Sequence, residues 1–278
     1  MKLYGVTTTY NNENYVPFVM KYAEEFGYDK LIVYDNGSTD RTVEMLKKYP
    51  FVEVREYSTE IFTEEKKLEV LLEGFWDIYS SHTKNSNGYV NGVTELAWVT
   101  ITDFDEVVFF TREDYMTPKR YLEKVSNMGY NVVNEQMVDI ISNYSVNGEF
   151  CHLYSQKCLY GDPFDWRKPL LFRMDNIHLF SPSQGMHYAR FSFYDEKVKA
   201  LNGSKSINVF HLKYAFGEEA YLQTRRNLFN RGYYGSNELM NKTNTFRNCL
   251  NNSIDIKKYF EHKMLFGNDP EENNVLSF

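Results

Sequence analysis

From Lys2 to Tyr10 the chain reads KLYGVTTTY, a run of β-branched and aromatic residues that predicts a strand, and the polar cluster Asn11-Asn12-Glu13-Asn14 closes it with a turn. Tyr15, Phe18, Val19, Tyr22 and Phe26 then recur at helical spacing, with Asn14 placed to cap the helix and Pro17 tolerated in its first turn. KLIVYD is a second short apolar strand ending in Asp35, followed by the turn NGS and a helix expected from Asp40 to Lys48, capped by Ser38 or Thr39. Phe51 to Tyr57 reads as a third strand. Strands and helices alternating over short turns predict a parallel sheet flanked by helices, and ligands of such sheets bind outside the carboxyl ends of the strands. The polar clusters after Tyr10 and after Tyr34 both fall there.

A long helix is expected from Glu64 to Ser81, and KNSNGYVNG after it reads as a loop. LAWVTITDFDEVVFF has the strongest apolar signal in the chain, and its run before Thr102 predicts a central strand that delivers Asp103, Asp105 and Glu106 to the binding edge. A helix from Pro118 to Met128 and a strand from Asn131 to Val138 follow. Beyond Asn143 the pattern is irregular, with strands expected at Leu170–Arg173 and Ile207–Leu212 and helices at Glu218–Asn230 and Ile254–Phe266. No internal repeat or low-complexity linker divides the chain, so one α/β domain over residues 1–278 is the expectation.

Composition narrows the classes of function. With 42% hydrophobic and 17% aromatic residues the 278-residue chain can bury a full core and does not read as disordered. The formal net charge is -7 and no stretch concentrates Lys and Arg, so nucleic acid is excluded as the expected partner. An acidic protein that binds an anionic ligand must then supply positive charge locally, from a metal ion or a few placed Lys and Arg residues. Cys151, Cys158 and Cys249 have neither metal-type spacing nor the even count of a disulfide framework. No transmembrane segment of about 18 apolar residues and no leader pattern is read, so a cytoplasmic protein is the expectation.

Two constellations carry chemistry. Asp103-Phe104-Asp105 puts two carboxylates at i and i+2 at a strand end, on one side, where their repulsion calls for a cation; Glu106 adds a third. The plainer alternative is a solvated acidic turn. Asp35-Asn36-Gly37-Ser38-Thr39-Asp40 offers short acceptors for a ribose or a base and a glycine for a tight turn, against the alternative of an Asx turn with a helix cap.

TTTYNNE after the first strand, YDNGSTDRTVEML after the second and ITDFDEVVF in their order resemble the motifs of glycosyltransferase family 2 and its relatives, over about the first 110 residues. KPLLFR, SPSQGMHY and FHLKYAFGEEAYLQTRR are weaker echoes of bacterial members that decorate polysaccharides. The resemblance implies a GT-A fold, with a nucleotide-sugar-binding half at 1–110 and an acceptor-binding half at 111–278. It implies a nucleoside-diphosphate sugar as donor, a glycan or lipid-linked glycan as acceptor, inversion at the anomeric carbon, and a divalent metal, Mn²⁺ or Mg²⁺. On the same resemblance Thr9, Glu13, Asp35, Asn36 and Asp40 would contact the nucleoside, Asp103 the ribose or metal, and Asp105 the metal, while Lys213 and Arg225 would steady the diphosphate. A histidine completing the metal site would be His187 or His211, with His187 placed first.

An acceptor hydroxyl needs a carboxylate base, and the family's usual ED and QxxRW signatures are absent, which leaves the base unassigned; Glu135 in NVVNEQMV and Asp165 in GDPFDWRKP are the candidates to test. The segment from Tyr144 to Trp166, with Tyr160, Phe164 and Trp166, is the expected acceptor site. A nucleotidyltransferase is the competing enzyme class, weakened because TTTYNNENY has neither the glycine nor the basic residue of a triphosphate-binding loop. A catalytically silent sugar-nucleotide-binding module is the third reading.

Overall fold

The computed structural model describes residues 1–59, 63–83, 95–111, 116–141, 157–159, 167–175, 177–183, 189–193, 196–232, 245, 247–259 and 261. Strands β1 (Lys2–Thr9), β2 (Lys30–Asp35), β3 (Val52–Glu56) and β4 (Ala97–Ile101) lie side by side in the order β4-β1-β2-β3, every pair parallel. Helices α1 (Val16–Phe26), α2 (Thr42–Leu46) and α3 (Glu64–Thr83) connect them. The unbroken apolar run Leu31 to Tyr34 has a direct cause, because both faces of β2 are covered. Leu31 and Val33 pack in the core cluster that holds the buried face of α1, while Ile32 and Tyr34 pack with Val70, Leu71 and Phe75 of α3.

Two helix starts differ from expectation. Asn14 does not cap α1; the N-cap is Tyr15, and the backbone N–H groups of Tyr15 and Val16 donate to the Asn12 carbonyl at 2.8 and 3.1 Å. At α2 the Ser38 hydroxyl is bound to Asp35, so Thr42 N–H donates to the Asp40 carboxylate instead, at 2.9 Å.

The apolar run around Asp103 is two strands. β4 ends at Ile101, residues 102–105 turn, and β5 (Glu106–Phe110) leaves in a different pairing. From β4 the sheet continues antiparallel through β8 (Arg167–Arg173), β6 (Val132–Ile141), β7 (Lys157–Leu159) and β13 (Ile254–Asp255). The sheet is therefore mixed: parallel in its first half and largely antiparallel beyond. β11 (Ala200–Asn202) and β12 (Ile207–Tyr214) pair parallel to β6, and β12 also pairs antiparallel to β5. The expected C-terminal helix does not start at Ile254, because Ile254 and Asp255 pair with Cys158 and Lys157; within its expected span 256–259 and 261 are helical, and 260 and the residues after 261 lie outside the described residues.

A separate hairpin of β9 (Ile177–Pro182) and β10 (Ala189–Phe193) covers α3, with Phe180 stacked on Phe75 at 4.3 Å between ring centroids. α4 (Pro118–Asn127), capped by the Thr117 hydroxyl, packs Tyr121, Leu122 and Val125 into a third cluster around Trp98. α5 (Gly217–Asn230) follows β12 directly. Among the described residues no helix is long and apolar enough to cross a membrane.

Candidate functional site

A cavity of about 410 Å³ opens at the carboxyl ends of β1 and β4. Thr9, Tyr10, Asn11 and Asn12 form one wall, the Asp103–Glu106 turn forms the floor, and Glu64 and Lys67 of α3 close one side. Met137 and Asp139 of β6 and His211 and Lys213 of β12 form the opposite wall, and Thr224, Arg225, Asn227 and Leu228 of α5 complete the lining.

The Asp103–Asp105 turn is held by charge and by backbone. Glu106 is buried; its carboxylate accepts from the Asp103 N–H at 2.9 Å and is ion-paired with the buried Lys168. Burial pushes the Glu106 carboxyl up, although the Lys168 ammonium opposes this. Glu106 is thus committed beneath the turn and is not a third open carboxylate. Asp103 is ion-paired to Lys67 at 2.6 Å. Burial disfavours the Lys67 ammonium, but Asp103 and Glu64 outweigh that and push it well above the usual lysine range.

His211 reaches the site through strand register. β12 sets it opposite Glu106 of β5 and opposite Asp139 of β6, and Leu212 N–H donates to the Asp105 carbonyl at 2.7 Å. His211 Nδ1 is 2.6 Å from Asp139 Oδ1, and Nε2 is 3.3 Å from Asp105 Oδ2. Burial works against its imidazolium, but the two carboxylates more than offset this and raise it to about 10. Burial likewise opposes ionisation of Asp105, which His211, Arg225 and Lys67 overcome, holding its carboxyl well below the usual range.

Among the described residues no three His, Cys, Asp or Glu side chains are grouped as a preformed metal cage. Asp105 Oδ2 and His211 Nε2 nevertheless face one another, and once a cation displaces the Nε2 proton they are an oxygen and a nitrogen donor. Asp139 on Nδ1 is the outer-shell partner that fixes a ligating imidazole with its other nitrogen forward. Two such donors are suited to a divalent ion only if further ligands come from outside the chain.

The second expected constellation is hydrogen-bonded within its two loops. Asp35 accepts from Gly37 N–H at 3.1 Å and from Ser38 N–H at 3.0 Å, and takes the Ser38 hydroxyl at 2.5 Å, closing an Asx turn in which Gly37 has φ 75°. Glu13 accepts from Arg41 N–H at 3.2 Å, and Asp40 accepts from Glu13 N–H at 3.1 Å and from Thr42 N–H at 2.9 Å. Asn36 accepts from Thr59 N–H at 3.0 Å. These short polar side chains knit the β1–α1 loop to the β2–α2 loop, and Glu13, Asp35, Asn36 and Asp40 do not line the cavity, whereas Thr9 does.

Glu135, expected as a base, is 1% exposed on β6, accepts from Ser204 N–H at 2.5 Å and is absent from the cavity wall. The strand runs on to Ile141, so the carboxylate it carries into the cavity is Asp139. Asp165, His187 and the 144–166 segment apart from the 157–159 backbone lie outside the described residues. The sequence reading missed Lys67, Asp139 and Arg231. The last stacks its guanidinium over Tyr10 at 4.3 Å from the ring centroid.

No protein-family model matches the chain, and no curated protein sequence matches it. Among solved structures, S. aureus TarS is 14% identical over 75% of this chain, with a TM-score of 0.39. This chain spans 36% of the length of TarS. The 4-diphosphocytidyl-2C-methyl-D-erythritol synthase of Anaerococcus prevotii is 12% identical over 62% of this chain and 70% of its own, with a TM-score of 0.28. Glucosyl-3-phosphoglycerate synthase of Mycobacterium tuberculosis, solved with Mn²⁺, UDP and glucosyl-3-phosphoglycerate, is 17% identical over 49% of this chain and 44% of its own, with a TM-score of 0.27. At these TM-scores none of the likenesses bears on the activity of this chain.

Proposed function

We propose that the chain is a glycosyltransferase that moves a sugar from a nucleoside-diphosphate sugar to a hydroxyl of a glycan or lipid-linked glycan acceptor. The observation that carries this reading is the juxtaposition of Asp105 and His211, backed by Asp139, in one cavity with Lys213 and Arg225. Departure of a nucleoside diphosphate builds negative charge on its oxygens, and a site that answers it with placed positive charge lowers the barrier. Asp105 and His211 would hold the divalent ion, Mn²⁺ or Mg²⁺, which when bound supplies Lewis-acid neutralisation of the diphosphate.

The chain's own groups supply the rest. Lys213 and Arg225 meet the diphosphate from the β12 wall and from α5. The ion pair with Lys67 holds the Asp103 side chain in place, so that its second oxygen is available to a ribose hydroxyl, and Thr9 offers a hydroxyl on the same wall. Glu13, Asp35, Asn36 and Asp40 shape the two loops from behind. For the acceptor, the sequence resemblance adds inversion, and Asp165 is the base this reading retains, because Glu135 is occupied with Ser204.

The test is hydrolysis of a panel of nucleoside-diphosphate sugars with Mn²⁺ or Mg²⁺ and no acceptor, comparing the wild type with D103N/D105N. Cation-dependent release of nucleoside diphosphate that the double variant loses is expected; equal release by both proteins sinks the proposal. Pyrophosphate formed from a nucleoside triphosphate and a sugar 1-phosphate would instead identify a nucleotidyltransferase, and nucleotide binding without any turnover would identify a silent module.

A further inference from the structure

Arg231 caps the C-terminus of α5, the helix whose Thr224, Arg225, Asn227 and Leu228 line the cavity. Its guanidinium reaches the residues that follow three parallel strands. Nη1 donates to the Asn36 carbonyl at 3.3 Å, after β2. Nη2 donates to Asn36 Oδ1 at 3.1 Å, to Thr59 Oγ1 at 3.3 Å and to the Thr59 carbonyl, after β3. The face of the group lies over Tyr10, after β1, and Tyr10 lines the cavity. Asn36 Oδ1 also accepts from the N–H and the hydroxyl of Thr59, each at 3.0 Å, so the amide is held in one orientation.

Only a planar cation with donors on both of its edges can hold these partners while stacking on a ring; the point charge of lysine cannot. Arg231 stands six residues beyond Arg225 along α5, which places it about 9 Å further along the helix axis from the charged end of the cavity. Its contacts are therefore at the end away from the groups that would meet a diphosphate.

We infer that Arg231 is a positioning residue for the nucleoside end of the donor: it locks Tyr10 and the C-terminal end of α5 into the wall against which the nucleoside lies. This rests on the donor reading given above. The group touches no reacting atom and acts through Tyr10, Asn36 and the helix end.

Calorimetric titration of the wild type, R231A, R231Q and R231K with UDP, CDP, GDP, ADP and inorganic pyrophosphate, all with Mn²⁺, separates the possibilities. The nucleoside diphosphate bound best by the wild type is expected to weaken about tenfold in R231A and R231Q, the size of a lost stacked, charge-assisted contact. Pyrophosphate affinity is expected to stay within about twofold, because its partners lie at the other end of the cavity. R231K is expected to recover little, since it restores charge without the fork. Should R231A fail to fold, R231Q and R231K carry the test.

Equal losses for nucleotide and pyrophosphate would reduce Arg231 to general support and overturn the inference, as would unchanged affinity for both. A wild type that binds none of the four nucleotides more tightly than pyrophosphate would instead overturn the donor reading itself, and the inference with it.

Discussion

His211 turns Nδ1 to Asp139 at 2.6 Å and so presents Nε2 to Asp105, 3.3 Å away. Two strands and a turn contribute the members of this row: β12 gives His211, β6 gives Asp139 and the turn before β5 gives Asp105. The histidine comes from β12, which runs between β5 and β6, and the two carboxylates come from either side of it.

Replacing Asp139 with Asn keeps the shape of the side chain and removes the charge that orients the imidazole. Outer-shell losses of this kind weaken metal affinity roughly 10–100-fold. A Mn²⁺ titration followed by electron paramagnetic resonance, with UDP present, is expected to show weaker binding in D139N, with H211A at least as weak. Wild-type affinity in D139N would remove Asp139 from the site, and wild-type affinity in H211A would remove the histidine as well.

The Glu106–Lys168 pair is buried on both sides, with side-chain exposures of 3% and 2%. Removing one partner leaves an uncompensated charge in the core, a loss of roughly 3–5 kcal/mol, whereas removing both is far milder. Urea unfolding of K168M should therefore show a large drop in midpoint, and E106Q/K168M should recover most of it. A double variant no more stable than K168M would mean that the pair contributes packing and not charge balance.

Asp29 joins the start of β1 to α4, accepting from Leu3 N–H at 2.8 Å and pairing with Lys2 at 3.3 Å and Lys119 at 2.7 Å. Burial opposes its ionisation, but Lys119, the Leu3 N–H and Lys2 prevail, so its folded-state pKa lies below that of the unfolded chain. A lowered carboxylate pKa contributes stability that is fully present above the unfolded value near 3.9 and is lost as pH falls through the folded value. D29N is accordingly expected to melt below the wild type at neutral pH, with the difference shrinking once the pH drops below about 3.9. Melting curves recorded across that range check the sign; a gap that widens in acid would contradict it.

The parallel half of the sheet was readable because its signals are local. Leu31 to Tyr34 form an unbroken apolar run because both faces of β2 are buried, and the polar clusters after β1 and β2 fall at the strand ends. What those clusters do was not readable: whether Asp35 meets a ligand or its own backbone depends on the Gly37 and Ser38 N–H groups, which the chosen turn directs at it. His211 was named without being placed first, since strand pairing across about a hundred residues leaves no local mark; His187 lies outside the described residues. One signal was available. In FHLKY the residues Phe210, Leu212 and Tyr214 alternate with His211 and Lys213, and the strand buries the first set and turns the second to the cavity. Asp139 was lost because an aspartate within an apolar run reads as the end of a strand, whereas β6 continues to Ile141. Arg231 carried no signal, because its partners are brought to it only by the tertiary fold.

The antiparallel seating of β12 on β5 also orders events during synthesis. β1 to β4 can find their neighbours early, but Phe110 waits for Ile207, and Asn36 waits for Arg231. Contacts this distant along the chain form late and slowly. A nascent polypeptide paused before residue 207 would thus hold β5 without its strand partner and an acidic turn lacking its histidine.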